Sequence, residues 1–192
     1  MLVYEMFIVI VGETAFSSLC SIGAVFLVVL IITASLTIAS VVTLSVLLVY
    51  LGLIALMPLW DLTFNNVVVV HLVSSLGLSV LYSAHIAHTY LLSEAPEELP
   101  IERKRAWKAQ VALSRMGSSM LHGIVAAAIA VLISGLLQES YFFVVFYKIW
   151  TGIIAFGTAN AFIFIPIVLS IAGPNPDFQA KKIMRKNDFL QR

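Results

Sequence analysis

Charge is what this chain lacks. Of its 192 residues only 11% are Asp, Glu, Lys or Arg, 61% are hydrophobic, and the mean hydropathy is +1.04. A water-soluble domain carries about 25% charged residues to solvate its exterior, so hydrocarbon must cover most of this one. The net charge of +1 provides no long-range pull on nucleic acid. One cysteine, Cys20, excludes an intrachain disulfide and leaves the redox compartment unread. The first residues, Met1 to Glu13, are apolar but have no basic start and carry Glu5 and Glu13, so a cleavable signal peptide is not expected. No Ser-His-Asp arrangement around a nucleophile elbow, phosphate-cradling glycine loop or HExxH is found, so neither an enzyme nor a cofactor is expected.

What is present is long uncharged runs. No Asp, Glu, Lys or Arg occurs between Thr14 and Trp60, Leu62 and Ser93, Met116 and Gln138, or Ile149 and Pro176. A spanning helix needs roughly 20 apolar residues, so the first run holds two spans and each other run one. The expected fold is therefore all-α, a polytopic bundle of about five transmembrane helices over residues 16–173. The spans are placed near 16–34, 37–58, 67–91, 119–138 and 148–172. Barrel strands are excluded because they alternate polar and apolar residues.

Basic residues fix the expected orientation. Arg103, Lys104, Arg105, Lys108 and Arg115 lie in the loop 92–118, and five more follow in the tail 174–192. Five spans put both segments on one side, which the positive-inside rule makes cytoplasmic, leaving the lead-in 1–15 outside. Within the loop, Pro100 to Arg115 reads as a helix lying on the membrane surface. It is either a solvated connector or a site for anionic lipid.

The remaining polar groups concentrate in the third span. At 100° per residue, His71, Ser75, Tyr82 and His85 form a narrow stripe about 21 Å long, with Ser74 and Ser79 beside it. Such a stripe is expected to face other helices rather than lipid. One reading makes it interhelical glue; the other makes it the border of a polar conduit or substrate groove, with His85 able to titrate near neutral pH. No metal is expected: His71 and His85 are too far apart to share an ion, and His85 with His88 supplies only two ligands. Gly77, Gly117, Gly123, Gly135 and Gly157 suit close helix contact. Asn160 needs a partner inside the bundle, and Pro166 is expected to kink the fifth helix near Phe164 to Leu169.

Several motifs resemble the Niemann-Pick C and Patched family. They are Ser21-Ile22-Gly23-Ala24, Gly77-Leu78-Ser79-Val80 followed by Ser83-Ala84-His85-Ile86, and Met116-Gly117-Ser118-Ser119. The most specific is Phe162-Ile163-Phe164-Ile165-Pro166-Ile167-Val168-Leu169-Ser170 with Gly173-Pro174. The resemblance implies the last five helices of an RND-type permease that moves or senses sterols and other lipids. It covers only those helices and not the family's sterol-sensing first half, so the chain reads as a C-terminal fragment, a truncated gene or a degenerate copy. It also marks a departure: Leu81 stands where the family commonly places an acid associated with ion coupling, although the matching His85 remains. The next helix carries Val125-Ala126-Ala127-Ala128 where relatives often have polar residues.

The expected function is thus a lipid or sterol permease module working with the rest of a permease or another subunit. Its expected ligand is membrane lipid, and the resemblance implies a sterol. The alternative is a structural or regulatory membrane protein that has lost transport. A homo-oligomeric channel of five-span subunits is a third reading.

Overall fold

In a computed structural model, residues 2–96, 98–136 and 140–174 are described, with side chains from residue 9 onward. The described residues contain helices and no strand. Helix α1 covers Leu2–Thr33, α2 Leu36–Leu56, α3 Asn66–Leu92 and α4 Ile101–Leu136. The fifth rod is composite: α5 over Tyr141–Ala159, a π turn over Asn160–Phe164, and α6 over Ile165–Ala172. Among the described residues, five helices are long and apolar enough to cross a membrane. The chain is a multi-pass membrane protein.

Local chemistry sets the connections. Between α1 and α2 only Ala34 and Ser35 intervene; Ala34 takes a left-handed φ of 47° and Ser35 is extended. A left-handed alanine costs about 1–2 kcal/mol, held here by the packing of the helices it joins. Pro58 has no N–H to continue α2, and a 3-10 turn, Pro58–Trp60, follows. Asn65 then caps α3, its side-chain oxygen accepting from the Val68 N–H at 3.0 Å. Its amide nitrogen donates to the Tyr141 hydroxyl at 2.8 Å, pinning the start of α3 to the start of α5.

Two expectations need correction, and two helices prove longer than the spans placed on them. The surface helix over Pro100 to Arg115 and the fourth span are one continuous helix of 36 residues, because nothing between Arg115 and Ser119 breaks it. At 1.5 Å per residue it is about 54 Å long, so its basic first turns stand beyond the hydrocarbon. The first and fifth helices begin well before residues 16 and 148. Leu2 to Ala15 contains no proline, and Lys148 is accommodated inside α5 because its ammonium donates to the Trp60 carbonyl at 2.8 Å. Finally, the distortion from Pro166 falls one turn earlier than expected. A proline ring collides with the carbonyl four residues back, and the backbone widens into the π turn, where Ile165 N–H bonds Asn160 O. The tail from residue 175 and the fourth span's last residues, 137–138, lie outside the described residues.

The core has two apolar clusters. One, near the basic end, includes Ile38, Val42, Ile86, Tyr90, Ile165 and Leu169; the other includes Val46, Leu53, Leu72, Leu76, Ile149 and Ile153. The basic end is closed by long side chains from α4. Lys108, 4% exposed, sits 5.2 Å from the Tyr90 ring centroid, and the Arg105 guanidinium donates to the Ile171 carbonyl at 3.1 Å. Both cations therefore meet the C-terminal ends of helices, where the backbone dipoles favour positive charge.

In lipid, helices associate through fit and hydrogen bonds rather than through water exclusion. Glycine positions show the fit. A Cβ on Gly157 would stand 3.1 Å from the Tyr82 ring, one on Gly117 3.4 Å from Phe162, and one on Gly135 2.8 Å from Tyr147. Gly77 and Gly123, expected to pack similarly, meet nothing within 4 Å. Gly52 and Gly152, which sequence reading passed over, bring α2 and α5 together against Phe156 and Leu53.

Replacing Gly157 with Val should therefore cost about 1–3 kcal/mol of stability through overpacking against Tyr82. Gly77→Ala should leave stability unchanged or slightly raised. Unfolding in bicelles measures both, and equal losses would refute the packing role of Gly157.

Candidate functional site

Helix α3 carries the polar residues singled out in the sequence, and it divides them among different surroundings. His71, Ser75 and Ser79 are buried, as is Ser83. These four follow an i, i+4 row, which is inclined to the helix axis rather than parallel to it. Burial drifts around the helix along this row. His85 has nearly the azimuth of His71 on a straight helix, yet lies outside the buried ridge and is exposed. Tyr82 is half-buried against Gly157. The straight stripe inferred from 100° spacing is thus split.

The serines show how a polar helix survives in hydrocarbon. Ser75 donates to the Leu72 carbonyl at 2.6 Å and Ser79 to the Ser75 carbonyl at 2.7 Å. Their hydroxyls are satisfied by their own helix. Ser83 instead reaches across to Ser45 of α2 at 2.8 Å, and the Asn160 amide nitrogen donates to the Ser45 carbonyl at 2.6 Å. This layer lies between the two apolar clusters and ties α2, α3 and the π turn at one level. Neither Ser45 nor Ser83 was singled out among the candidate site residues, because a lone serine in an apolar run carries no periodic signal. The Asn160 side-chain oxygen is buried without a partner among the described residues. Beside it, a lipid-facing groove of about 260 Å3 runs between α2 and the π turn, walled by Leu48, Phe156, Ile163 and Phe164.

At the end opposite the basic one, α5 wraps His71. Its ring centroid is 5.6 Å from those of Phe142 and Phe146, and Phe146 stacks on Trp150 at 4.9 Å. The Trp150 indole N–H donates to His71 Nδ1 at 3.4 Å, while His71 Nε2 is buried with no partner among the described residues.

The opposite face of α3 is bare. Val70, Ser74, Gly77, Leu81, His85 and His88 are all exposed, spaced three or four residues apart along one line. Ser74 satisfies itself on the Val70 carbonyl at 2.7 Å. Leu81, at the position where the family resemblance calls for an acid, is 54% exposed in the middle of this face.

Known proteins with similar sequence agree on one kind. No protein-family model matches the chain. The NPC intracellular cholesterol transporter 1 of Sus scrofa is 31% identical over 176 residues, covering 90% of this chain and 13% of the relative. The NPC intracellular cholesterol transporter 1 homolog 1b of Drosophila melanogaster is 31% identical over 89% of this chain and 13% of its own length. The human NPC1-like intracellular cholesterol transporter 1 is 27% identical over 90% of this chain and 12% of its own length. The chain therefore spans about an eighth of the length of these relatives.

The polar layer should be measurable as a coupling. In a Ser45→Ala and Ser83→Ala double-mutant cycle, the interaction energy should be about 0.6 kcal/mol, the average for such bonds in membrane proteins. Asn160→Leu should cost more than either single serine change, up to about 1.7 kcal/mol, since it also frees the Ser45 carbonyl. Strict additivity of the two serine changes would show that their contact carries no energy.

Proposed function

We propose that this member of the Niemann-Pick C family is a sterol- or lipid-handling permease module of the RND type, working within a larger transporter rather than alone. The observation that carries this reading is the bare face of α3. A hydroxyl, a glycine and two imidazoles on the outside of a membrane bundle are poorly matched to lipid and well matched to another helix. That the pig relative is about seven times longer supports the same view. The basic end is taken to be cytosolic, from its concentration of Arg and Lys. The polypeptide binds and positions lipid and needs no catalytic group or cofactor.

The module's chemistry follows from its parts. The composite fifth rod and α2 flank an open groove with almost wholly apolar walls, so the hydrocarbon part of an amphipathic guest fits there. Driving such a guest by ions needs an ionisable group in the membrane, and Leu81 stands at the place the resemblance gives to an acid. This favours a second reading, in which the chain retains the architecture and has lost transport.

Two measurements separate these. Purified in nanodiscs, the chain should take up a photoactivatable sterol saturably; labelling that unlabelled sterol fails to compete would overturn the leading reading. Grafted in place of the matching stretch of the pig relative, it should support sterol transport on the leading reading; on the second reading it should support little, and Leu81→Glu in the graft should raise it. Export as strong as the parent's with Leu81 in place would remove the second reading.

A further inference from the structure

Phe142, Phe146 and Trp150 recur every four residues on α5, so they form one ridge, and that ridge closes around a single polar side chain, His71. An indole nitrogen only donates, so the bond from Trp150 requires His71 Nδ1 to be the acceptor. The imidazole is then neutral and carries its proton on Nε2. That N–H is buried and has no acceptor among the described residues. His71 is 8% exposed and lies roughly one and a half turns inside the start of α3, near the end opposite the basic one. The rim above it is aromatic: Tyr141, Phe142 and Phe143 are all exposed.

Three features identify the guest. The unpaired group is a neutral donor, so it calls for an oxygen acceptor. The base of α5, Lys148, directs its ammonium to the Trp60 carbonyl rather than to His71, so a neutral oxygen suits the His71 donor better than a phosphate does. The surrounding rings offer flat apolar faces at the depth where interfacial aromatics and lipid hydroxyls both reside.

We propose that this box is the site for the head of a neutral, hydroxyl-bearing lipid of sterol type, whose oxygen accepts the His71 Nε2–H. The first rings of the lipid lie against Phe142 and Phe146, and its hydroxyl proton faces the interface. The proposal rests on the chain being a sterol-handling permease, and it adds where in the bundle, and at which depth, such a lipid is held. His71 acts as a binding residue, and Trp150 positions it by fixing the tautomer.

The test uses the full chain in phospholipid nanodiscs and a photoactivatable cholesterol with its diazirine close to the hydroxyl, the adducts being mapped by peptide mass spectrometry. Saturable adducts are expected on residues 141–150, competed by cholesterol and about five- to tenfold less well by cholest-5-ene, which lacks the oxygen. His71→Phe keeps a ring and removes the donor; it should cut these adducts by a similar factor while leaving thermal stability close to that of the parent. Undiminished labelling in a folded His71→Phe, or equal competition by cholest-5-ene, would overturn the site and leave the Phe146 ring as the partner of Nε2–H. If the variant does not fold, the competition on the unchanged chain decides alone. Saturable labelling elsewhere in the chain sinks the site and spares the permease reading, whereas no saturable labelling at all sinks both.

Discussion

Hydrocarbon offers no hydrogen bonds, and the layer formed by Ser45, Ser83 and Asn160 is where the bundle answers that constraint. A hydroxyl pair and an amide on a carbonyl lock α2, α3 and the π turn at one level, between two apolar clusters. Apolar packing alone would let helices slide or rotate, because one leucine surface in lipid is much like another. Polar contacts penalise every register but one. The π turn belongs to the same device: it relieves Pro166 and begins at Asn160, the residue that reaches across to Ser45.

The same constraint explains why α3 presents two unlike faces. Its inner ridge is polar but quiet, with Ser75 and Ser79 returning their protons to their own helix. Its outer face, with Ser74, Gly77, His85 and His88, is open to whatever surrounds the bundle. A five-helix unit with such a face fits a part of something larger, and the far greater length of the relatives agrees with that view. His71 belongs to neither surface. It is flanked by aromatic rings from another helix, with one nitrogen engaged and one not.

Much of the architecture was legible because membrane insertion reads a simple quantity. Runs without Asp, Glu, Lys or Arg can only be helices at this length, and their number gave five crossings. Helix ends were less legible. Glu13 and Lys148 pointed to boundaries that the backbone ignores, since a helix continues past a charge whenever nothing breaks its hydrogen bonds and the charge finds water or a carbonyl. The fusion of a basic surface segment with the fourth span was hidden for the same reason.

The sequence by itself determined the solvent, the number of crossings, the family resemblance and which helix holds the polar residues, because each depends only on local composition or motif order. Tertiary structure alone decided which of those residues meet. The buried row of α3 follows an inclined ridge, so Ser83 enters the core and His85 leaves it. Which glycines touch, that Ser45 pairs with Ser83, and that Trp150 fixes the proton of His71 all depend on the relative rotation and height of separate helices. Those are set by the mutual fit of whole surfaces, a property that no single segment contains.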